Sequence, residues 1–234
     1  MSAFKGGIYI PLLLLLFMIP KRNFGEKVKY PVVVASAILL TLVMFAAVNS
    51  NIFTDVASST AGSENELMWT ESEGFTLRRM FTHPKEALCM LFNTFFLMGG
   101  THYAEMFASG FGWLQIYTSG FLTAGFTVLI LLTLLNCGGR EICFNKKQRI
   151  ISLSAAAVSI FIIVISMWIF WTPAGSTHIV GLQGRYFIPL LFCALYPLKN
   201  SRCIIKKDIG GRIIFAAVMF HALTFWEIYI RMAV

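Results

Sequence analysis

The chain has 234 residues, 57% of them hydrophobic and 13% charged, with a mean hydropathy of +0.74 and a formal net charge of +8. A soluble domain carries roughly 25% charged residues, and here the apolar residues fall in long blocks, so a soluble globular fold is excluded. The lysines and arginines sit in short clusters between those blocks, with no basic run interleaved with aromatics, so the positive charge marks loops beside a membrane and not a nucleic-acid surface.

The composition predicts a single all-α transmembrane domain over residues 1–234, with about six spans. The first, near 8–19, is bounded by Lys5 and by Pro20-Lys21-Arg22. As an α-helix the stretch from Lys5 to Lys21 covers about 24 Å, short of a hydrocarbon core of about 30 Å. The second span lies near 30–48. An outer loop, 49–116, follows. Its first half, TDVASSTAGSENELMWTESEGF, is polar and acidic. Its second half predicts an interfacial helix: Pro84 suits a first turn, Glu86 the positive end of the dipole, ALCMLFNTFFLM the apolar body, and Gly99-Gly100 its end. The glycine-spaced stretch ASGFGWL leads into a third span near 117–135, and a fourth lies near 150–171.

The fifth span is set by charge. The loops 20–29, 136–149 and 199–212 hold 13 of the 19 Lys and Arg, and the positive-inside rule places all three on one face. A crossing is then required before Lys199, although 187–198 is only twelve residues. The helix is therefore expected to run over 179–198 and to include Gln183 and Arg185. A sixth span lies near 213–230, and both termini face outward.

Arg185, between Gly184 and Tyr186, is the sharpest polar feature. One reading is an interfacial anchor that snorkels to lipid phosphates, with Tyr186 in an aromatic belt. The other is a guanidinium fork for an anionic headgroup, with Gln183 as a second polar group and Gly184 letting the backbone approach the ligand. His221 and Glu227 are six residues apart and do not share a helical face; Glu227 is expected to pair with Arg231, and His221 to hydrogen-bond between helices. His83, His102 and His178 lack metal-ligand spacing, and no cofactor motif is present. Asp55, Glu64, Glu66, Glu71, Glu73, Glu86 and Glu105 are candidate acids that spacing alone does not rank. The five cysteines form no C-x-x-C pair and read as thiols.

GLQGRYFIPLL (181–191), FKGGIYIPLLLLLFMIPKRNFG (4–25), THPKEALCMLFNTFF (82–96) and FGWL (111–114) resemble segments of a bacterial family of multi-span membrane proteins, the domain of unknown function DUF2142. That family is distantly similar to glycosyltransferases of the GT-C class, which take sugars from polyprenyl-phosphate carriers. The resemblance implies a C-terminal portion of a lipid-linked sugar transferase-like protein of envelope polysaccharide synthesis in the bacterial plasma membrane. It also implies that the outer loop with the catalytic carboxylate lies in a missing N-terminal half or in a partner membrane subunit, which leaves enzyme activity open. The implied ligand is a membrane lipid or lipid-linked sugar, contacted by Gln183, Arg185 and Tyr186. A transport or flipping component, with His221 in the bundle core, is the alternative, as is a non-catalytic partner subunit.

The charge pattern makes the topology testable. In a background without native cysteines, Ser58→Cys and Ser176→Cys are expected to label with an impermeant reagent from outside, and Ser201→Cys is not. Outside labelling at 201 contradicts the six-span order.

Overall fold

The structure is a computed structural model that describes residues 7–20, 29–48, 74–75, 77–111, 115–137, 144–199, 204–205 and 207–233. Residues 49–73 of the outer loop, with Asp55, Glu64, Glu66, Glu71 and Glu73, lie outside the described residues, as do 21–28, 138–143, 200–203 and 206 of the basic loops and 112–114 of the FGWL element. In chain order the elements are a 3-10 helix (Gly7–Met18), α1 (Tyr30–Val48), α2 (Leu77–Thr82), α3 (Pro84–Phe92), a π turn (Asn93–Leu97), α4 (Gly99–Phe107) and α5 (Gly120–Leu134). There follow β1 (Asn136–Cys137), α6 (Lys146–Trp171), a 3-10 turn (Gly184–Phe187), α7 (Ile188–Leu195), a 3-10 turn (Tyr196–Leu198), β2 (Ile204–Ile205) and α8 (Gly210–Ala233).

The fold is helical, as the composition predicts. Three helices are long and apolar enough to cross a membrane: Tyr30–Ala47, Lys146–Trp171 and Gly210–Ala233. Gly7–Met18, Gly120–Leu134 and Gly184–Leu198 are apolar but shorter, so the described residues give three full-length spans where the sequence reading counts six. Two of the short ones are stretched by 3-10 geometry. At about 2.0 Å per residue, Gly7–Met18 covers about 24 Å. Gly184–Leu198, part 3-10 and part α, covers about 26 Å. Pro11 lies inside the first and Pro197 in the last turn of the second, where a residue without an N–H weakens the α ladder.

The chain forms two compact units. In the first, residues 1–90 and 146–181, α6 is the central helix. It buries Ser152, Ala155, Ala156, Ser159 and Ile163 along one stripe, and the 3-10 helix packs along α6. Small side chains let two backbones approach, which matters in lipid because apolar contact alone gives little preference for protein over lipid tails. The Gln148 side-chain amide donates to the Met18 carbonyl at 3.4 Å, and the Tyr30 hydroxyl donates to the Leu16 carbonyl at 3.4 Å. The 3-10 helix thus runs antiparallel to both α6 and α1. At the far end of α6, Phe75 stacks on buried Trp168 (5.4 Å between centroids) and its N–H donates to the Thr172 carbonyl at 2.9 Å. Nearby, Arg79 donates to both Glu86 oxygens at 3.2 and 3.3 Å.

In the second unit, residues 91–145 and 182–234, α5 and α8 run antiparallel around Leu122, Phe126 and Leu129, with Phe220 against them. The β1 and β2 residues pair in parallel, Asn136 with Ile204 and Cys137 with Ile205, which brings two of the basic connections side by side. The helix expected from Pro84 to Met98 forms, as α over Pro84–Phe92 and as a π turn over Asn93–Leu97; the Met98 N–H donates to the Asn93 carbonyl at 3.1 Å, and α4 begins at Gly99. Gly99-Gly100 therefore opens a helix and does not close one.

Gly125 has no room for a side chain, because a Cβ there would overlap the Phe220 ring, whereas a Cβ at Gly120 meets nothing. Gly125→Ala is expected to cost about 1–3 kcal/mol through overpacking and to lower Tm in detergent. Gly120→Ala on the same helix is expected to leave Tm unchanged or slightly raised. Equal effects of the two would remove the Gly125–Phe220 notch from the account.

Candidate functional site

The stretch after α6 first folds back on itself. The Thr172 hydroxyl donates to the Met167 carbonyl and accepts the Val180 N–H, each at 3.1 Å. Gly181 has φ +80°, and a Cβ there would lie 3.2 Å from Trp171 Cβ; both conditions favour glycine. This left-handed residue breaks the helix that the sequence reading extends back to residue 179. Gln183 is accordingly extended (φ −130°, ψ 139°) and precedes the helix, where the sequence reading puts it inside. The helix begins at Gly184, closed by the Tyr186 N–H donating to the Gln183 carbonyl at 3.1 Å.

Gly184 is buried against α4. Its N–H donates to Glu105 Oε2 at 2.7 Å, and a Cβ on it would overlap the His102 carbonyl. The absent side chain thus admits the backbone of α4, not a ligand. Glu105 has a side chain only 6% exposed, and His102 Nδ1 lies 3.4 Å from the same Oε2. With Nδ1–H facing the carboxylate, His102 Nε2 is left buried without a hydrogen-bond partner among the described residues, as is Gln183 Oε1. Spacing alone did not select Glu105. The signal available was His102-x-x-Glu105 at i, i+3 on one helical face.

Arg185 is exposed, and among the described residues it has no ion pair or hydrogen bond. It stands in the first turn of Gly184–Leu198, whose positive end is met by the Glu105 carboxylate on the Gly184 N–H. Tyr186, next to it, is half-buried. The opposite end of this helix carries Lys199, whose Nζ donates to the Thr133 carbonyl at 3.3 Å. Gln183, Arg185 and Tyr186 are thus consecutive around Gly184 on a turn held by Glu105, with the Gln183 Oε1 buried and Arg185 exposed.

Glu227 behaves differently. Its Oε1 accepts the Ser119 N–H at 2.8 Å and both Arg231 Nε and Nη2, at 3.1 and 2.9 Å, while Oε2 accepts the Ser119 hydroxyl at 3.0 Å. The i+4 pair expected from the sequence forms, and it also caps α5. His221 makes its hydrogen bond within its own helix, Nδ1 to the Ala217 carbonyl at 2.7 Å, and meets Phe126 edge-on at 4.9 Å. Its partner is intrahelical, not the interhelical one expected. Among the described residues no three His, Cys, Asp or Glu side chains gather as metal ligands.

Apolar helices of spanning length with a polar, glycine-packed turn at one helix end define a helical membrane protein. The chain belongs to the DUF2142 family of predicted membrane proteins, whose model matches residues 1–194. No curated protein and no solved structure matches the chain.

The glycine packing yields a sharp expectation. Gly184→Ala forces a Cβ into a backbone carbonyl that cannot rotate away, so the turn must leave α4 and expose Glu105. Limited proteolysis and Tm in detergent are expected to show a looser protein, with a cost of about 2 kcal/mol or more from the overlap and the broken buried hydrogen bond. A wild-type Tm in Gly184→Ala contradicts the close approach.

Proposed function

We propose that this chain binds a lipid-borne phosphate of the polyprenyl-phosphate type in a bacterial plasma membrane. On this reading it serves a sugar transferase-like system of envelope polysaccharide synthesis, as the C-terminal portion of such a protein. Arg185 is the phosphate ligand, with Gln183 and Tyr186 beside it. One observation carries the reading: an exposed arginine with no protein partner among the described residues, on a turn anchored by Glu105 at the start of an apolar helix. A phosphate monoester matches the planar donor fork of arginine. The sugar-transfer setting follows from the distant similarity that the sequence reading gives this family to GT-C class transferases.

The test is binding of a polyprenyl monophosphate to the detergent-purified chain by native mass spectrometry. The neutral polyprenol, which lacks the anion, and inorganic phosphate, which lacks the lipid, are the controls. Arg185→Ala and Arg185→Lys are both expected to weaken binding by about 1.5–3 kcal/mol, the range for hydrogen bonds to charged groups, or roughly ten- to a hundredfold. Gln183→Ala is expected to cost less, since it removes a neutral group. Binding by Lys equal to Arg reduces the fork to a point charge. Wild-type binding by all three variants makes Arg185 an interfacial anchor only.

A further inference from the structure

Glu105, one of the candidate acids that spacing alone does not rank, adjoins the site. Its carboxylate is almost fully enclosed, and the cost of burying a charge is offset only where hydrogen bonds replace water. The partners it has are the Gly184 N–H at 2.7 Å and the His102 ring at 3.4 Å. Arg185, the very next residue after Gly184, is not one of them. A carboxylate that paired with the guanidinium would neutralise it; this one is directed to the backbone one residue before and leaves the guanidinium unpaired.

We infer that Glu105 is a positioning residue for Arg185: through the Gly184 N–H it fixes the turn that presents the guanidinium to the phosphate. The inference rests on the headgroup reading above. Two features make the clamp specific. The overlap that any Cβ at Gly184 would have with the His102 carbonyl shows that the turn lies directly on α4. In addition, the His102 ring, bonded to the same Oε2, limits rotation of the carboxylate. The clamp is a hydrogen bond, so it needs an acceptor oxygen at Oε2 and not a negative charge. A nearby charge even opposes an anionic ligand.

The experiment uses the full chain in detergent, with polyprenyl monophosphate as probe, neutral polyprenol as control and Tm measured alongside. Glu105→Ala is expected to weaken monophosphate binding roughly tenfold and to leave polyprenol binding unchanged. Glu105→Gln keeps an acceptor oxygen and removes the charge, so it is expected to bind monophosphate at least as well as wild type. This rescue is what a merely electrostatic role would not give. Wild-type monophosphate binding by Glu105→Ala overturns the inference, as does parallel loss of monophosphate and polyprenol binding in that variant. If Glu105→Ala does not fold, Glu105→Gln decides alone: loss of monophosphate binding by a folded Glu105→Gln overturns the clamp. Arg185→Ala separates the two levels. Its binding like wild type refutes the headgroup reading itself, whereas its loss of binding beside an unaffected Glu105→Ala refutes only the role of Glu105.

Discussion

A helix begins with backbone N–H groups that have no partner inside it, and lipid supplies none. In the second unit this constraint is met twice in the same way. The N–H of Ser119, at the start of α5, goes to Glu227 of α8, and the N–H of Gly184, at the start of the helix ending at Leu198, goes to Glu105 of α4. Each carboxylate comes from a segment far away in sequence, 108 and 79 residues respectively, and each stands where the helix dipole favours negative charge. These two contacts tie α5 to α8 and the Gly184–Leu198 helix to α4.

The two glutamates differ in how their charge is balanced. Glu227 has its own arginine, Arg231, one turn further along α8. Among the described residues Glu105 has only His102 as a basic neighbour, and Arg185 has no protein partner. One carboxylate completes a closed structural cluster. The other leaves a cation exposed beside a rigid turn, and that asymmetry is what distinguishes the two helix starts chemically.

Packing throughout depends on missing or small side chains. Gly125 receives Phe220, Gly184 receives the α4 backbone, and a Ser/Ala stripe on α6 receives the 3-10 helix. Where lipid is as apolar as the side chains, helix association draws on such close approach. The same economy governs length: segments with too few residues for an α-helical span are drawn out by 3-10 turns at Pro11 and Pro197. The cost is weaker backbone geometry.

Composition and block pattern alone determined the helical, membrane-embedded class, because burial in lipid demands long apolar runs whatever their contacts. Local rules also reached the start of α3 at Pro84 and the Glu227–Arg231 pair, since both are decided within one helical turn. They reached Arg185 as the unusual charge, and the structure leaves it unpaired among the described residues. They did not reach the break at Gly181, the restart of the chain into α4 at Gly99, or Glu105. Glycine has the same letter whether it ends a helix, opens one or admits a neighbouring backbone, and a carboxylate has the same letter in water or buried. Only the structure decided those: Trp171 packs against Gly181 and the N–H of Gly184 meets Glu105, while the restart at Gly99 follows the π turn that the Met98 N–H makes with Asn93.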